Sequence, residues 1–222
     1  MAKVYTDEGN VVIPPWVVDL RTFRRWAESD EFPEEGRIAF VNGEVYLDMS
    51  KQQAFSHVRI KDILTRVIGN LVRDLGLGEY FGDGLRVTNV EAEVSNVPDG
   101  TFVSMESFRN GRVQWAGARE NRFTEQEGSP DLLIEVVSDS SEDKDTEWLM
   151  TAYWNAGVEE YWIVDARSEP LRFDIFKRGT KGFSGTRKSA GWLKSHTLGK
   201  SFRFRTAKNP LGHPDFTLDV RG

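Results

Sequence analysis

A carboxylate in the middle of an apolar run is the first sign of chemistry in this chain: Glu135 lies between Ile134 and Val136 in DLLIEVVS, residues 131–138. A short β-branched run of this kind predicts a central strand covered on both faces. An unpaired carboxylate there costs several kcal/mol or takes up a proton, so something must compensate it. Strand side chains alternate, so Asp131 shares a face with Glu135. The two are about 13 Å apart at the usual rise, too far to chelate one ion unless the strand bends. A second carboxylate must therefore come from another strand. Asp99 in VPDGTFVS follows a proline and precedes a strand-like run, which makes it the natural candidate. Two carboxylates on adjacent strands, with a backbone carbonyl and waters, make a hard-oxygen site suited to Mg2+ or Mn2+. An ion held there can polarise a phosphodiester and lower the pKa of an attacking water.

Each residue also has a plainer reading. A buried glutamate can be paired with an arginine or lysine, Asp99 can serve the turn in Pro-Asp-Gly, and Asp131 can cap or turn the start of its strand.

The elements that position these residues follow from pattern. After an arm ending in Pro14-Pro15, residues Val17 to Glu28 read as a short helix, and Arg37 to Met49 as two strands about Asn42-Gly43, a strong hairpin signal. From Ala54 to Leu75 the stripe Ile60, Ile63, Leu64, Val67, Ile68, Leu71, Val72 and Leu75 predicts a long helix with one buried face. Strand-like runs follow at Glu79 to Phe81, Leu85 to Val90 and Thr101 to Ser104, and then a polar, Gly-rich stretch reaches Pro130. Lys144 to Ala156 reads as a helix stopped by Gly157, with strands expected at Glu160 to Asp165 and Leu171 to Phe176. Interleaved strands and helices indicate an α/β fold with a mixed central β-sheet flanked by helices. No linker of convincing length interrupts the chain. One domain over 1–222 is expected, with an N-terminal arm (1–16), a core (about 17–178) and a β-rich C-terminal extension (179–222).

Composition narrows the chemistry. The chain has 222 residues, 39% hydrophobic and 29% charged, with 7 Trp and 14 Phe, which is the profile of a folded protein. It has no cysteine, so disulfides, thiolate zinc sites and cysteine nucleophiles are excluded. The formal net charge of −6 counts against coating nucleic acid through a broad basic face. Basic residues nevertheless crowd the last third, at Arg172, Lys177, Arg178, Lys181, Arg187, Lys188, Lys194 and Lys200. The start MAKVYTDEGN lacks the apolar stretch of a signal peptide, and no run approaches the roughly 18 apolar residues of a membrane span. A cytoplasmic protein with no membrane association is the expectation.

The order NGEVYLDM, a helix bearing His57, VPDGTFV, GSPDLLIEVVS and DTEWLMTAYWNAGVEEYWIVDAR resembles the Uma family of restriction endonucleases, a branch of the PD-(D/E)xK superfamily, over roughly Thr22 to Phe176. The resemblance implies a restriction-endonuclease-like core and metal-dependent cleavage of DNA, with Asp99 and Glu135 as metal ligands and Mg2+ or Mn2+ as cofactor. It also brings in a possible homodimer, since two sites are needed to cut both strands. Three positions depart from the pattern. The superfamily's lysine falls at Val137, and the place to which the Uma family generally moves it, four residues before Tyr153, is Leu149. Ala39 stands where the family has a glutamate. Lys144 is the nearest basic residue and the one candidate for the missing lysine, against the ordinary reading of a solvated lysine at a helix start. His57 is a candidate for proton transfer or for holding the site, against a structural histidine. The tryptophans read as core, with Trp192 among basic residues the one to examine for base stacking. The rival to an active enzyme is a catalytically impaired protein of the same fold that binds nucleic acid or a partner without cleaving it.

Overall fold

The computed structural model describes residues 3–5, 11–117 and 123–222, the first three as backbone. Strand β1 (Lys3–Tyr5) precedes helix α1 (Leu20–Ala27), which starts where Asp19 accepts a hydrogen bond from the Thr22 N–H at 2.7 Å. That cap satisfies one of the orphan amides of the first turn. Leu20, Phe23 and Trp26 then fall on one face and pack with Ile38, Phe40, Val45 and Leu47. These four belong to β2 (Arg37–Val41) and β3 (Glu44–Asp48), an antiparallel hairpin. Its turn needs positive φ at both central residues, and Asn42 and Gly43 supply it at 53° and 81°.

The predicted long helix begins as a π-helical turn, Ala54–Val58, before the α-helix α2 (Arg59–Asp74). Strands β4 (Gly78–Phe81), β5 (Arg86–Asn89), β6 (Val94–Asn96) and β7 (Gly100–Ser104) follow. The polar, Gly-rich stretch up to Pro130, for which no element was predicted, holds α3 (Met105–Arg109), β8 (Val113–Ala116) and β9 (Glu125–Gly128). Elements of four or five residues are too short to show a period, and tertiary pairing decides them. Central strand β10 (Leu132–Val136) leads through a second π-helical turn, Lys144–Trp148, into α4 (Leu149–Asn155). That helix ends at Gly157, whose φ of +81° suits a C-terminal glycine. Then come β11 (Glu160–Asp165), β12 (Arg172–Gly179), β13 (Gly182–Gly185), β14 (Leu193–Lys194), β15 (Ser201–Lys208) and β16 (Pro214–Arg221).

Three sheets form among the described residues, where the sequence suggested one. The central one runs β13-β12-β11-β10-β7-β4 and is mixed, since β10 pairs parallel to β11 and antiparallel to β7. A seven-stranded sheet, β1-β3-β2-β6-β5-β9-β8, takes in both the hairpin and part of the N-terminal arm. The C-terminal extension forms the three-stranded sheet β14-β15-β16, apart from β13, which completes the central sheet.

Strand alternation explains the layers. Leu132, Ile134 and Val136 join a core with Ile60, Leu64 and Ile68 of α2 and with Phe202 and Leu218 of the C-terminal sheet. On the opposite side Leu133 and Val137 join Leu149, Ala152 and Tyr153 around α4, together with Val87 and Val94 of the seven-stranded sheet. Glu135 has the parity of Leu133, so its carboxyl enters the side where α4 and the seven-stranded sheet meet.

Candidate functional site

The register of β7 against β10 pairs Phe102 with Leu132 and ends with Gly100 opposite Ile134, so Asp99 sits just beyond the ladder, beside the end of β10 that carries Glu135. Asp99 Oδ2 accepts from the Val136 N–H at 2.8 Å, which ties it to the end of the strand that carries Glu135. Glu135 Oε1 accepts from Asn96 Nδ2 and from the Tyr153 hydroxyl, each at 2.9 Å. Both carboxylates are buried, at 4% and 2% exposure.

The two π-helical turns deliver the rest. Wide i→i−5 bonds, Val58 N–H to Gln53 and Leu149 N–H to Lys144, insert an extra residue into each first turn. Such insertions recur at functional sites because they re-aim side chains without breaking the helix. Lys144 is thereby buried at 4% exposure, with Nζ 3.1 Å from Asp145 Oδ1 and 5.4 Å from the centre of the Tyr46 ring. Burial opposes its charge, but Asp145 and Glu135 outweigh burial and raise its pKa, so it stays protonated. Burial pushes Glu135 well above the usual carboxylate range; Lys144 opposes this, while Asp145 and Asp99 add to it. Asp145 is raised as well, first by burial, with Lys144 and the Ser141 hydroxyl opposing.

His57, from the first π-helical turn, places Nε2 3.7 Å from Asp99 Oδ2, with no hydrogen-bond partner for that buried nitrogen. Its Nδ1 lies 3.2 Å from Gln52 Oε1 and 3.4 Å from Arg37 Nη2. Burial lowers its pKa to about 4, Asp99 opposing and Arg37 and Lys61 adding. Folding therefore favours the neutral ring. In chelator, stability should fall as pH drops from 6.5 toward 4, by up to about 3 kcal/mol. Urea titrations across that window check this, and His57→Gln should flatten the slope; an unchanged slope would refute the assignment.

Several members were not singled out from sequence. Lys61 is buried, with Nζ 2.5 Å from Asp83 Oδ2 and 3.5 Å from Asp99 Oδ1. Its spacing of four from His57 on one helix face was the available signal. Asn96, Tyr153 and Asp145 had none beyond closeness to named residues. Asp131 does not join the cluster. It sits before the other end of β10, accepting from the Ser104 N–H at 2.7 Å and the Ser107 hydroxyl at 2.9 Å, so it fastens the start of α3. Trp192 lies beneath Arg203 and Arg221, whose guanidinium carbons are 4.6 and 4.1 Å from its ring centre. Val137, Leu149 and Ala39 lie together in the apolar cluster around α4.

The donor chemistry fits a hard divalent cation. Magnesium is commonly held by one or two carboxylates with waters completing the shell. Asp99 and Glu135 offer two, next to an orphaned imidazole nitrogen. Among the described residues no group of three His, Asp or Glu side chains converges as a ligand cage, so backbone and water would supply the remaining oxygens. A small pocket of about 70 Å³, lined by Ser50, Lys51, Gln53, Ser56, His57, Ser138, Asp139 and Arg167, meets the site at His57. It has room for water. Hydrogen bonds from Gln53 to Asp139 (3.1 Å) and between Ser50 and Ser140 (2.7 Å) strap its mouth.

No helix among the described residues is long and apolar enough to cross a membrane. A comparison with curated proteins finds no match. The sequence model of the Uma2 family, described as "Putative restriction endonuclease", matches residues 20–193, which takes in both carboxylates, both π-helical turns and every strand of the central sheet. With well over half of its length matched and a mixed α/β architecture consistent with a restriction-endonuclease-like core, the chain belongs to the Uma2 family.

Proposed function

We propose that this protein is a phosphodiesterase that cleaves DNA with the help of Mg2+ or Mn2+ held by Asp99 and Glu135. The observation that supports the reading is the buried grouping of Glu135 with Asp99, which is tied to the Val136 N–H at 2.8 Å, and with Lys144 paired to Asp145 at 3.1 Å. When bound, the cation supplies Lewis-acid polarisation of the phosphodiester and a lowered pKa for water. The side chains do the rest. Lys144 presents a fixed positive charge to the oxygens on which negative charge accumulates during attack, and Asp145 holds it in place. Asn96 and Tyr153 fix the Glu135 carboxylate by donating to the same oxygen. His57, kept neutral, can take up a proton at Nε2 when its Nδ1–H donates to Gln52. Cutting both strands of a duplex calls for two such sites, and a pair of copies would provide them.

One observation favours a second reading, a protein that retains the fold and binds nucleic acid without cutting it. Val137 and Leu149, where the resemblance calls for lysine, are apolar and buried at 1% and 0% exposure. Supercoiled plasmid incubated with Mg2+ or Mn2+, and in parallel with chelator, separates the two. Cation-dependent nicking by the unaltered protein is the expected result. Absence of nicking with either cation, together with nicking by Leu149→Lys, would establish the impaired form.

A further inference from the structure

Residues 181–222 hold nine lysines and arginines against two aspartates, in a chain whose formal net charge is −6. The rest of the chain is therefore strongly acidic, and this end carries the positive charge. The three-stranded sheet gives that charge a face. Alternation along β15 sends Phe202 and Phe204 into the core with α2 and turns Ser201, Arg203 and Arg205 the other way. The register sets Arg221 opposite Ser201 and Asp219 opposite Arg203 on one side, and Lys194 opposite Ser201 on the other. One outward face thus gathers Lys194, Arg203, Arg205 and Arg221 around a single acid.

That acid organises the face without neutralising it. Asp219 accepts from Arg203 at 2.9 Å and from Arg205 at 2.7 and 2.8 Å. Trp192 lies under Arg203 and Arg221 and holds their guanidinium groups flat. Pre-ordered guanidinium forks are suited to phosphate oxygens, and they lose less entropy on binding than free side chains do. One end of the sheet touches an element of the carboxylate cluster. In the turn between β15 and β16, the His213 ring lies 5.0 Å from that of Phe55, in the π-helical turn that carries His57. Most of this sheet lies beyond residue 193, where the family match ends.

We propose that the outward face of β14–β16 binds the phosphate backbone of duplex DNA and guides it to the cluster around Glu135. This rests on the reading of that cluster as a phosphodiesterase. The acidic remainder of the chain repels a polyanion, so complementarity leaves this sheet as the docking surface. The test is fluorescence anisotropy with a labelled duplex of roughly 20 base pairs in chelator, from about 50 to 200 mM salt. The variant is Lys194→Gln/Arg205→Gln/Arg221→Gln, whose three side chains are exposed. Binding should weaken at least tenfold, and the slope of log Kd against log salt should fall by about 3, roughly one unit per phosphate contact. Hydrolysis of bis(p-nitrophenyl) phosphate, too small to reach the sheet, should not change. Should the triple variant fail to fold, Lys194→Gln alone carries the test with a slope change of about 1. An unchanged affinity and slope would overturn the proposal, as would binding of phosphatidylserine vesicles without binding of the duplex. Failure of the unaltered protein to bind duplex would overturn it too, while small-diester hydrolysis would still report separately on the cluster.

Discussion

Glu135→Gln should reduce cation-dependent cleavage by at least ~10³-fold, in keeping with the several kcal/mol that a bound metal contributes, and should leave the cation-free protein more stable than the parent. The two effects share one cause. Burial, together with Asp145 and Asp99, pushes Glu135 far toward its neutral form, so the carboxylate is a burden on the cation-free fold. Glutamine keeps an Oε1 that accepts from Asn96 Nδ2 and the Tyr153 hydroxyl and removes the charge. Urea denaturation in chelator should show a gain of about 1–2 kcal/mol, on the scale of relieving a poorly paired buried polar group. A structural salt-bridge role would give the reverse, because removing one member of a buried pair destabilises. Loss of stability with cleavage intact would therefore rule out a functional role for Glu135.

Lys144→Met carries the opposite sign for stability. Lys144 is the cation that Asp145 touches at 3.1 Å, and it also acts on Glu135. Without it, three buried acids remain in one cluster, and breaking such a pair costs roughly 3–5 kcal/mol. Cleavage should fall about 10²–10³-fold, as when one electrostatic donor to a transition state is lost, with the loss in kcat more than in KM. Adding Asp145→Leu to Lys144→Met removes one of the stranded carboxylates and should recover much of the stability. It should not recover cleavage. A double variant that regains both would reduce Lys144 to a structural counter-ion.

What could be read from sequence was the local part of this site. The run around Glu135 announced a buried strand with a carboxylate in it, Asn42-Gly43 announced its hairpin, and the stripe from Ile60 to Val72 announced α2. Alternation put Asp131 on the side of Glu135, but it could not show that Ser104 and Ser107, brought in by the neighbouring strand, would engage it. The π-helical turns were invisible for a physical reason: one inserted residue leaves the apolar stripe beyond it intact, while rotating what precedes it. His57 and Lys144 are the residues so rotated, and both enter the site instead of lying at a helix rim. Asn96 and Lys61 come from elements far from Glu135 along the chain, and only the sheet order and the docking of α2 bring them near. The short strands between Ser104 and Pro130 lacked enough residues to declare a period.

The most direct test of the central claim, that Asp99 and Glu135 together hold one divalent cation, is calorimetric titration of Mn2+ into the unaltered protein, Asp99→Asn and Glu135→Gln. The account predicts one ion bound per chain in the first and no measurable binding in either variant. Absence of binding by the unaltered protein, or binding that survives both substitutions, would contradict it.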